Sequence, residues 1–404
     1  DTLDGIENLF GSLFDDSLTG DANDNTFTPL DGDDTVNGGD GIDLIYYGNA
    51  TGAVSVDLAS GTASGGEGND TLSSIEIVQG SYYDDLIQGD ERATILNGLR
   101  GDDTIEGRDN ADWLLGGAGN DYIDGGAGRD TAIFAGNQSS FTLTMSPTEI
   151  TIADRNLSGE GTDKLISIEE LDFDENIALF GDSPMPFDIF AGPTGLEADE
   201  FGAIVELYIA YFNRAPDAIG LYYWGTDYSN GFSLWQMATS FFAQPETRAT
   251  YASVLDENFN LDITDPAKVG EFVTDVYANV LGRAPDTPGF NYWTNELETN
   301  PGVTPAVFIL SVIGGAKYPS DPTPQTALDQ AYLATKADLG AYFAVIKGMS
   351  DIDDASASMA LFDGTAASVT TTVAAINGHY TDALDAETGD FLMPLVGVIE
   401  DPFV

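Results

Sequence analysis

The chain contains no cysteine and a single histidine, His379. The first absence rules out disulfides, a common staple of exported domains, and any thiolate chemistry. The second limits Ser-His-Asp schemes, and without H-E-x-x-H there is no zinc-protease motif. His379 sits in the polar run Asn377-Gly378-His379-Tyr380 and reads as a surface residue. Positive charge is scarce as well: 13 Lys+Arg face 68 Asp+Glu, a formal net charge of −55. Nucleic acid and anionic membrane surfaces would repel such a chain. Long apolar runs are missing too. The longest, around Val307 to Ala316, falls short of the roughly 18 residues that span a bilayer, so no transmembrane segment is expected. No G-x-x-x-x-G-K-[ST] phosphate loop stands out, no carboxylate pair is singled out for glycoside hydrolysis, and no signal peptide is visible. The sequence starts at Asp1 within a repeat and reads as a processed or partial product.

What the chain does contain argues for folded domains. Its 404 residues are 42% hydrophobic and 11% aromatic, enough apolar material for two or three cores and too much for a disordered polyanion. The charge must then be neutralised, and bound cations are the obvious means.

Internal repeats supply the pattern. Gly38-Gly39-Asp40-Gly41-Ile42-Asp43-Leu44-Ile45-Tyr46 fits G-G-x-G-x-D-x-U-x, where U is a large apolar residue, and so do 65–73 and 116–124. Weaker copies fill 11–37 and 80–115, and 125–133 keeps the glycines but has Ala132 at the apolar position. The acidic position reads Asp16, Asn25, Asp34, Asp43, Asp70, Asp85, Thr94, Asp103, Asp112, Asp121 and Asp130. Thr94 departs from the pattern, so a cation site relying on it should be weak or missing. Each nonapeptide predicts a glycine-rich turn followed by a very short strand. Glycines allow positive φ and bring carbonyls close to an ion, and the aspartate adds a hard carboxylate oxygen. Turns 18 residues apart should stack, pairing Asp16 with Asp34, Asp85 with Asp103, Asp103 with Asp121, and Asp112 with Asp130, with an ion held by one carboxylate from each plus carbonyls. The ligand candidates are these acidic residues with Asn25 and the glycines Gly38, Gly39, Gly41, Gly116, Gly117, Gly119, Gly125, Gly126 and Gly128. Two irregularities remain. Residues 47–64 have the length of two nonapeptides without glycine loops and are expected to continue the coil, and the frame slips between 74 and 79 for no reason the spacing gives.

Residues 1–133 resemble the repeat-in-toxin (RTX) family of calcium-binding β-roll proteins, and the stretch through Gly159-Glu160-Gly161-Thr162-Asp163 and Ile168-Glu169-Glu170-Leu171 resembles the β-rich cap that ends such rolls. The resemblance implies several Ca²⁺ ions and export by the type I secretion machinery, with an uncleaved carboxyl-terminal signal that the tail FLMPLVGVIEDPFV is compatible with. Glu169 and Glu170 read as ordinary cap residues.

Beyond Pro184, Pro186 and Pro193 helical periodicity takes over. An offset of 69 carries Tyr208 onto Tyr277, Arg214-Ala215-Pro216-Asp217 onto Arg283-Ala284-Pro285-Asp286, Gly220 onto Gly289, and Tyr223-Trp224 onto Tyr292-Trp293. Each copy predicts a helix, a turn at R-A-P-D and a second helix. The Tyr-Trp pairs read as core, with a sugar-binding platform as the alternative. The second copy, LGRAPDTPGFNYW, closely resembles a domain family of unknown function recurrent in bacterial secreted and S-layer-type proteins; the first departs from it at Phe212-Asn213. Further helices are expected after Thr326.

The expected architecture is multidomain: a parallel β-roll of nonapeptide repeats (1–133), a β-rich cap (134–190), an all-α domain with two related copies (195–320) and a helical carboxyl-terminal region (321–404). No active site is visible. The expected function is that of a secreted, calcium-binding structural protein of the bacterial cell surface, in an S-layer, matrix or adhesive assembly. Its partners would be calcium ions, further copies of itself or a surface polysaccharide. The alternatives are the export half of a larger secreted hydrolase and a carbohydrate- or partner-binding module.

Overall fold

The computed structural model describes residues 5–156, 159–173 and 184–404. The chain divides into two compact units, one of Asp1–Asp188 with Asp385–Phe391 and one of Ile189–Leu384 with Leu392–Val404.

The first unit is a β-roll. Each nonapeptide contributes a strand of three to six residues, such as Thr35–Asn37 or Tyr122–Ala127. Strand side chains alternate between faces, so so short a strand points one main residue inward, and that residue is the apolar U. Phe27, Val36, Ile45, Ile87, Leu96, Ile105, Leu114, Ile123 and Ala132 are all fully buried. Successive strands alternate between two sheets, which places residues 18 apart side by side in parallel register: Leu18 beside Val36, Leu96 beside Leu114, Ile105 beside Ile123. A buried Ile or Leu contributes about 1.5–3 kcal/mol, so the inner ladder is the main cohesive element.

Two departures from regular coiling carry physical reasons. The stretch 47–64 does not continue the coil. Val54–Asp57 and Thr62–Gly65 form an antiparallel hairpin that also pairs antiparallel with Gly68–Ser73, so one sheet gains a wedge while the other passes from Leu44–Tyr46 directly to Ile77–Gln79. The segment between the two strands turns back on itself at Gly61 (φ 67°), whose N–H donates to the carbonyl of Leu58 at 3.2 Å. The frame slip is a short crossing. Ser74 takes a left-handed conformation (φ 54°), Ile75 is buried, and Glu76 stands where the next aspartate is due. The chain reaches the opposite sheet with three residues fewer than a nonapeptide uses, and the longer glutamate makes up the reach: its carboxylate accepts the N–H of Asp43 at 3.0 Å. The same device recurs at the end of the roll, where Ser167 (φ 51°) precedes buried Ile168, and Glu169 accepts the N–H of Asp130 at 2.9 Å.

The cap is an antiparallel meander of Phe141–Met145, Ile150–Asp154 and Thr162–Ile166, joined to the roll by parallel pairing of the last with Tyr122–Ala127. Phe134, Phe141 and Phe173 form its core, with ring centroids 5.2–5.9 Å apart.

The second unit is helical. Its two copies are Ala198–Phe212 with Ala218–Ser229 and Pro266–Leu281 with Thr287–Thr299. They meet at equivalent positions: the side-chain N–H of Asn279 donates to the carbonyl of Ala210 at 3.2 Å, a separation of the same 69 residues. The R-A-P-D segment is a helix start. Asp217 and Asp286 are N-caps that accept the N–H of Gly220 at 2.6 Å and of Gly289 at 2.7 Å. Arg214 lies over the Tyr208 ring and forms a two-pronged pair with Glu246 (2.7 and 2.8 Å); Arg283 does the same with Tyr277 and Asp329 (2.8 and 2.6 Å). Trp224 packs on Phe241 and Trp293 on Phe308, each at 5.1 Å, while Tyr223 and Tyr292 are exposed. The tryptophans of the two pairs thus belong to the packing, and the tyrosines do not. His379 pairs with Asp354 at 2.9 Å. Among the described residues no helix is long and apolar enough to cross a membrane.

Candidate metal centre

The acidic position of each nonapeptide lies where the turn enters the strand, and stacking brings these positions into two rows. One row holds Asp16, Asp34, Asp70, Asp85, Asp103, Asp121 and Asp163; the other holds Asn25, Asp43, Glu76, Thr94, Asp112, Asp130 and Glu169. Along each row a carboxylate oxygen accepts the backbone N–H of the residue one coil earlier. Asp34 grips Asp16, Asp43 grips Asn25, Asp103 grips Asp85 and Asp121 grips Asp103, at 2.7–2.8 Å. Asp112 grips Thr94 and Asp130 grips Asp112, at 2.7 and 2.9 Å. Asp85 instead grips Val54 of the hairpin at 2.7 Å. All four stacked pairs expected from the sequence are therefore neighbours. Their link is carboxylate to backbone, which leaves one carboxylate oxygen for each turn.

That second oxygen, Oδ2, is buried without any hydrogen-bond partner in Asp34, Asp43, Asp103, Asp112, Asp121 and Asp130. These residues are 0–2% exposed. A buried, unpartnered carboxylate oxygen costs several kcal/mol unless something compensates it. Burial pushes the carboxyl of Asp103 up to about 8, of Asp121 to about 7 and of Asp130 to about 6, and raises Asp34, Asp43 and Asp112 as well; the backbone N–H bonds oppose the shift. The free oxygens do not point into apolar space. A Cβ on Gly98 would collide with Asp103 Oδ2 and the carbonyl of Gly116, and one on Gly107 with Asp112 Oδ2 and the carbonyl of Gly125. Carboxylate and carbonyl oxygens of stacked turns thus converge on the face that glycine leaves bare.

This donor set suits Ca²⁺, which takes oxygen ligands and tolerates mixtures of carboxylate and carbonyl. Among the described residues no three acidic or histidine side chains converge as a metal site, so carbonyls would have to supply the remaining ligands. Asp34, Asp43, Asp103, Asp112, Asp121 and Asp130 would hold the ions with the carbonyls above them. A bound cation would neutralise these carboxylates and tie neighbouring coils together.

The other nominated residues occupy the same turns. Gly38, Gly116 and Gly125 are the bare faces beneath Asp43, Asp121 and Asp130, while Gly39, Gly41, Gly117 and Gly126 take positive φ. Gly119 and Gly128 lie against the carbonyls of Gly101 and Asn110. Thr94 supplies no carboxylate; its N–H and hydroxyl both donate to Asp112. Sequence reasoning missed Glu76, Asp163 and Glu169 as members of the rows. The signal was available, since Gly159-Glu160-Gly161-Thr162-Asp163 repeats the turn pattern and Ser-Ile precedes both glutamates. It also missed Glu67, whose Oε2 is buried and unpartnered and whose carboxyl burial pushes to about 7.

Comparison with known proteins agrees with this geometry. The family model of the RTX calcium-binding nonapeptide repeat matches residues 1–29, 28–46 and 96–132. That of a domain of unknown function, DUF4214, matches residues 252–302, which contain the second R-A-P-D copy. No curated protein matches the chain. The chain therefore carries RTX repeats, which are calcium-binding and typical of secreted proteins, ahead of a domain whose role is open.

Proposed function

We propose that this chain is a secreted, calcium-binding structural protein of the bacterial cell surface, whose roll is completed by extracellular calcium and which takes part in an S-layer, matrix or adhesive assembly. The observation that carries the reading is the set of six buried, partnerless aspartate oxygens in stacked register. In a chain of net charge −55, these carboxylates repel one another in the compact state, and divalent cations relieve both that repulsion and the cost of burial. Extracellular calcium sites have dissociation constants of roughly 10⁻⁴ to 10⁻³ M, so the roll would stay open where calcium is scarce and close where it is abundant. Export by a type I system fits such a switch. No catalytic role is assigned, and the assembly partner is a second copy or a surface polysaccharide.

The test is to remove calcium from the purified chain with a chelator and return it while following β-sheet circular dichroism and particle size. Loss and recovery of the β signal, with large particles on recovery, is the expected result. Recovery without particles would remove the assembly part; no response to chelation would remove the calcium reading itself.

A further inference from the structure

The acidic positions of the roll are not equivalent. Ten of those nominated from the sequence carry Asp or Asn, and only six leave the second oxygen free. In Asp16, Asp70 and Asp85 the protein itself occupies it, and Asn25 has a single side-chain oxygen that is likewise taken. Asp16 Oδ2 accepts the N–H and the hydroxyl of Ser12 at 2.6 and 2.8 Å. Asp85 accepts the N–H of Ser81 on Oδ2 at 2.6 Å and its hydroxyl on Oδ1 at 2.7 Å. Asn25 Oδ1 accepts the N–H of Asp21 at 2.8 Å. Asp70 Oδ2 accepts the hydroxyl of Tyr47, itself buried, at 2.9 Å.

A single backbone feature separates the two groups. Four residues before each free aspartate stands a residue of positive φ: Leu30 (67°), Gly39 (108°), Leu99 (75°), Arg108 (81°), Gly117 (93°) and Gly126 (90°). The corresponding residues before the other four are Ser12, Asp21, Gly66 and Ser81, and none has positive φ. In three of these turns the N–H of that residue points at the acidic side chain and closes on it. In the left-handed setting it does not, and the oxygen is left for another partner. Leu30, Leu99 and Arg108 hold this setting although a left-handed non-glycine residue costs of order 1 kcal/mol or more, so the turn conformation is maintained against local preference.

We infer that the conformation four residues before the aspartate divides the roll into six cation-binding turns, at Asp34, Asp43, Asp103, Asp112, Asp121 and Asp130, and four self-closed turns, at Asp16, Asn25, Asp70 and Asp85, in which Ser12, Asp21, Tyr47 and Ser81 stand in for the ion. The inference rests on the calcium reading above and adds an occupancy map to it. The closed turns at Asp70 and Asp85 flank the hairpin excursion, so these two acidic side chains are held without metal; Glu67, outside the ten positions, keeps a buried Oε2 without a partner.

The test counts ions. Equilibrium dialysis against calcium, in monovalent salt sufficient to screen the surface carboxylates, is expected to give six tightly held ions for the full chain. Ser81→Gly removes the hydroxyl donor and permits the left-handed setting, and is expected to give seven. Ser12→Gly, at an exposed turn where misfolding is not a concern, is expected to do the same at Asp16. A count of ten in the native chain, or no change in both variants, overturns the map while leaving calcium binding intact. No bound calcium in the native chain overturns the underlying reading instead.

Discussion

Lys336 shows how much a single residue can depend on its surroundings. It is 2% exposed, and its ammonium donates to the side chain of Asn213 and to the carbonyl of Asn279 at 2.8 Å, so one side chain ties the end of Ala198–Phe212 to the last turn of Pro266–Leu281. Burial lowers its pKa to about 7. In the unfolded chain it titrates near ~10.4. Between those values the unfolded chain holds a proton that the folded one lacks, so stability rises with pH across that window, and the full penalty applies below it. Replacing Lys336 by Met should remove the dependence. Denaturant unfolding followed by helical ellipticity is expected to show wild type gaining about 2 kcal/mol on the variant between about pH 7 and about pH 9; a constant gap would mean that Lys336 does not titrate there. Nothing in the sequence marks this lysine, because its meaning lies in two contacts distant along the chain. The aspartates were legible for the opposite reason: a nine-residue period fixes both their chemistry and their neighbours. What the period could not disclose was which of their oxygens stay free, since that depends on φ at a different residue.

At the scale of elements, the R-A-P-D turns were legible as helix starts from proline and a capping acid, and the structure adds the ion pairs that anchor them. The two pairs differ in setting. The Arg214 side chain is 3% exposed and that of Arg283 31%. Removing the partner of a buried charge costs about 3–5 kcal/mol, whereas a charge that water can reach loses far less. Glu246→Ala is therefore expected to destabilise the helical unit by about 3 kcal/mol, and Asp329→Ala by clearly less, in thermal or urea unfolding. Equal losses would show that Asp217, 3.5 Å from Arg214, already compensates it. The short crossings at Ser74 and Ser167 were not legible as such. A slipped frame looks like a broken pattern until it is seen that a serine of positive φ shortens the backbone path while a glutamate lengthens the side chain. The hairpin at 54–65 was misread as coil because strand-like alternation does not say which strand it will pair with.

For the whole molecule, composition implied two or three cores, and it was the change from nonapeptide repeats to helical periodicity beyond Pro193 that made a β-roll followed by helices legible; the structure has two compact units. The helical unit contains none of the stacked aspartates. Its ellipticity is expected to survive chelation under conditions that abolish the β signal, and simultaneous loss of both would refute that separation. The gripping contacts along the roll share one further property. Asp34 reaches to Asp16, Asp103 to Asp85, Asp121 to Asp103, Asp163 to Asp121 and Glu169 to Asp130, always towards the lower residue number. The structure is a ratchet with a direction. The side-chain clasps on a coil come from residues that follow it, so a chain emerging from a pore carboxyl end first presents each clasp before the strand it fastens. Delivered amino end first, each gripped N–H would wait for a carboxylate still to come.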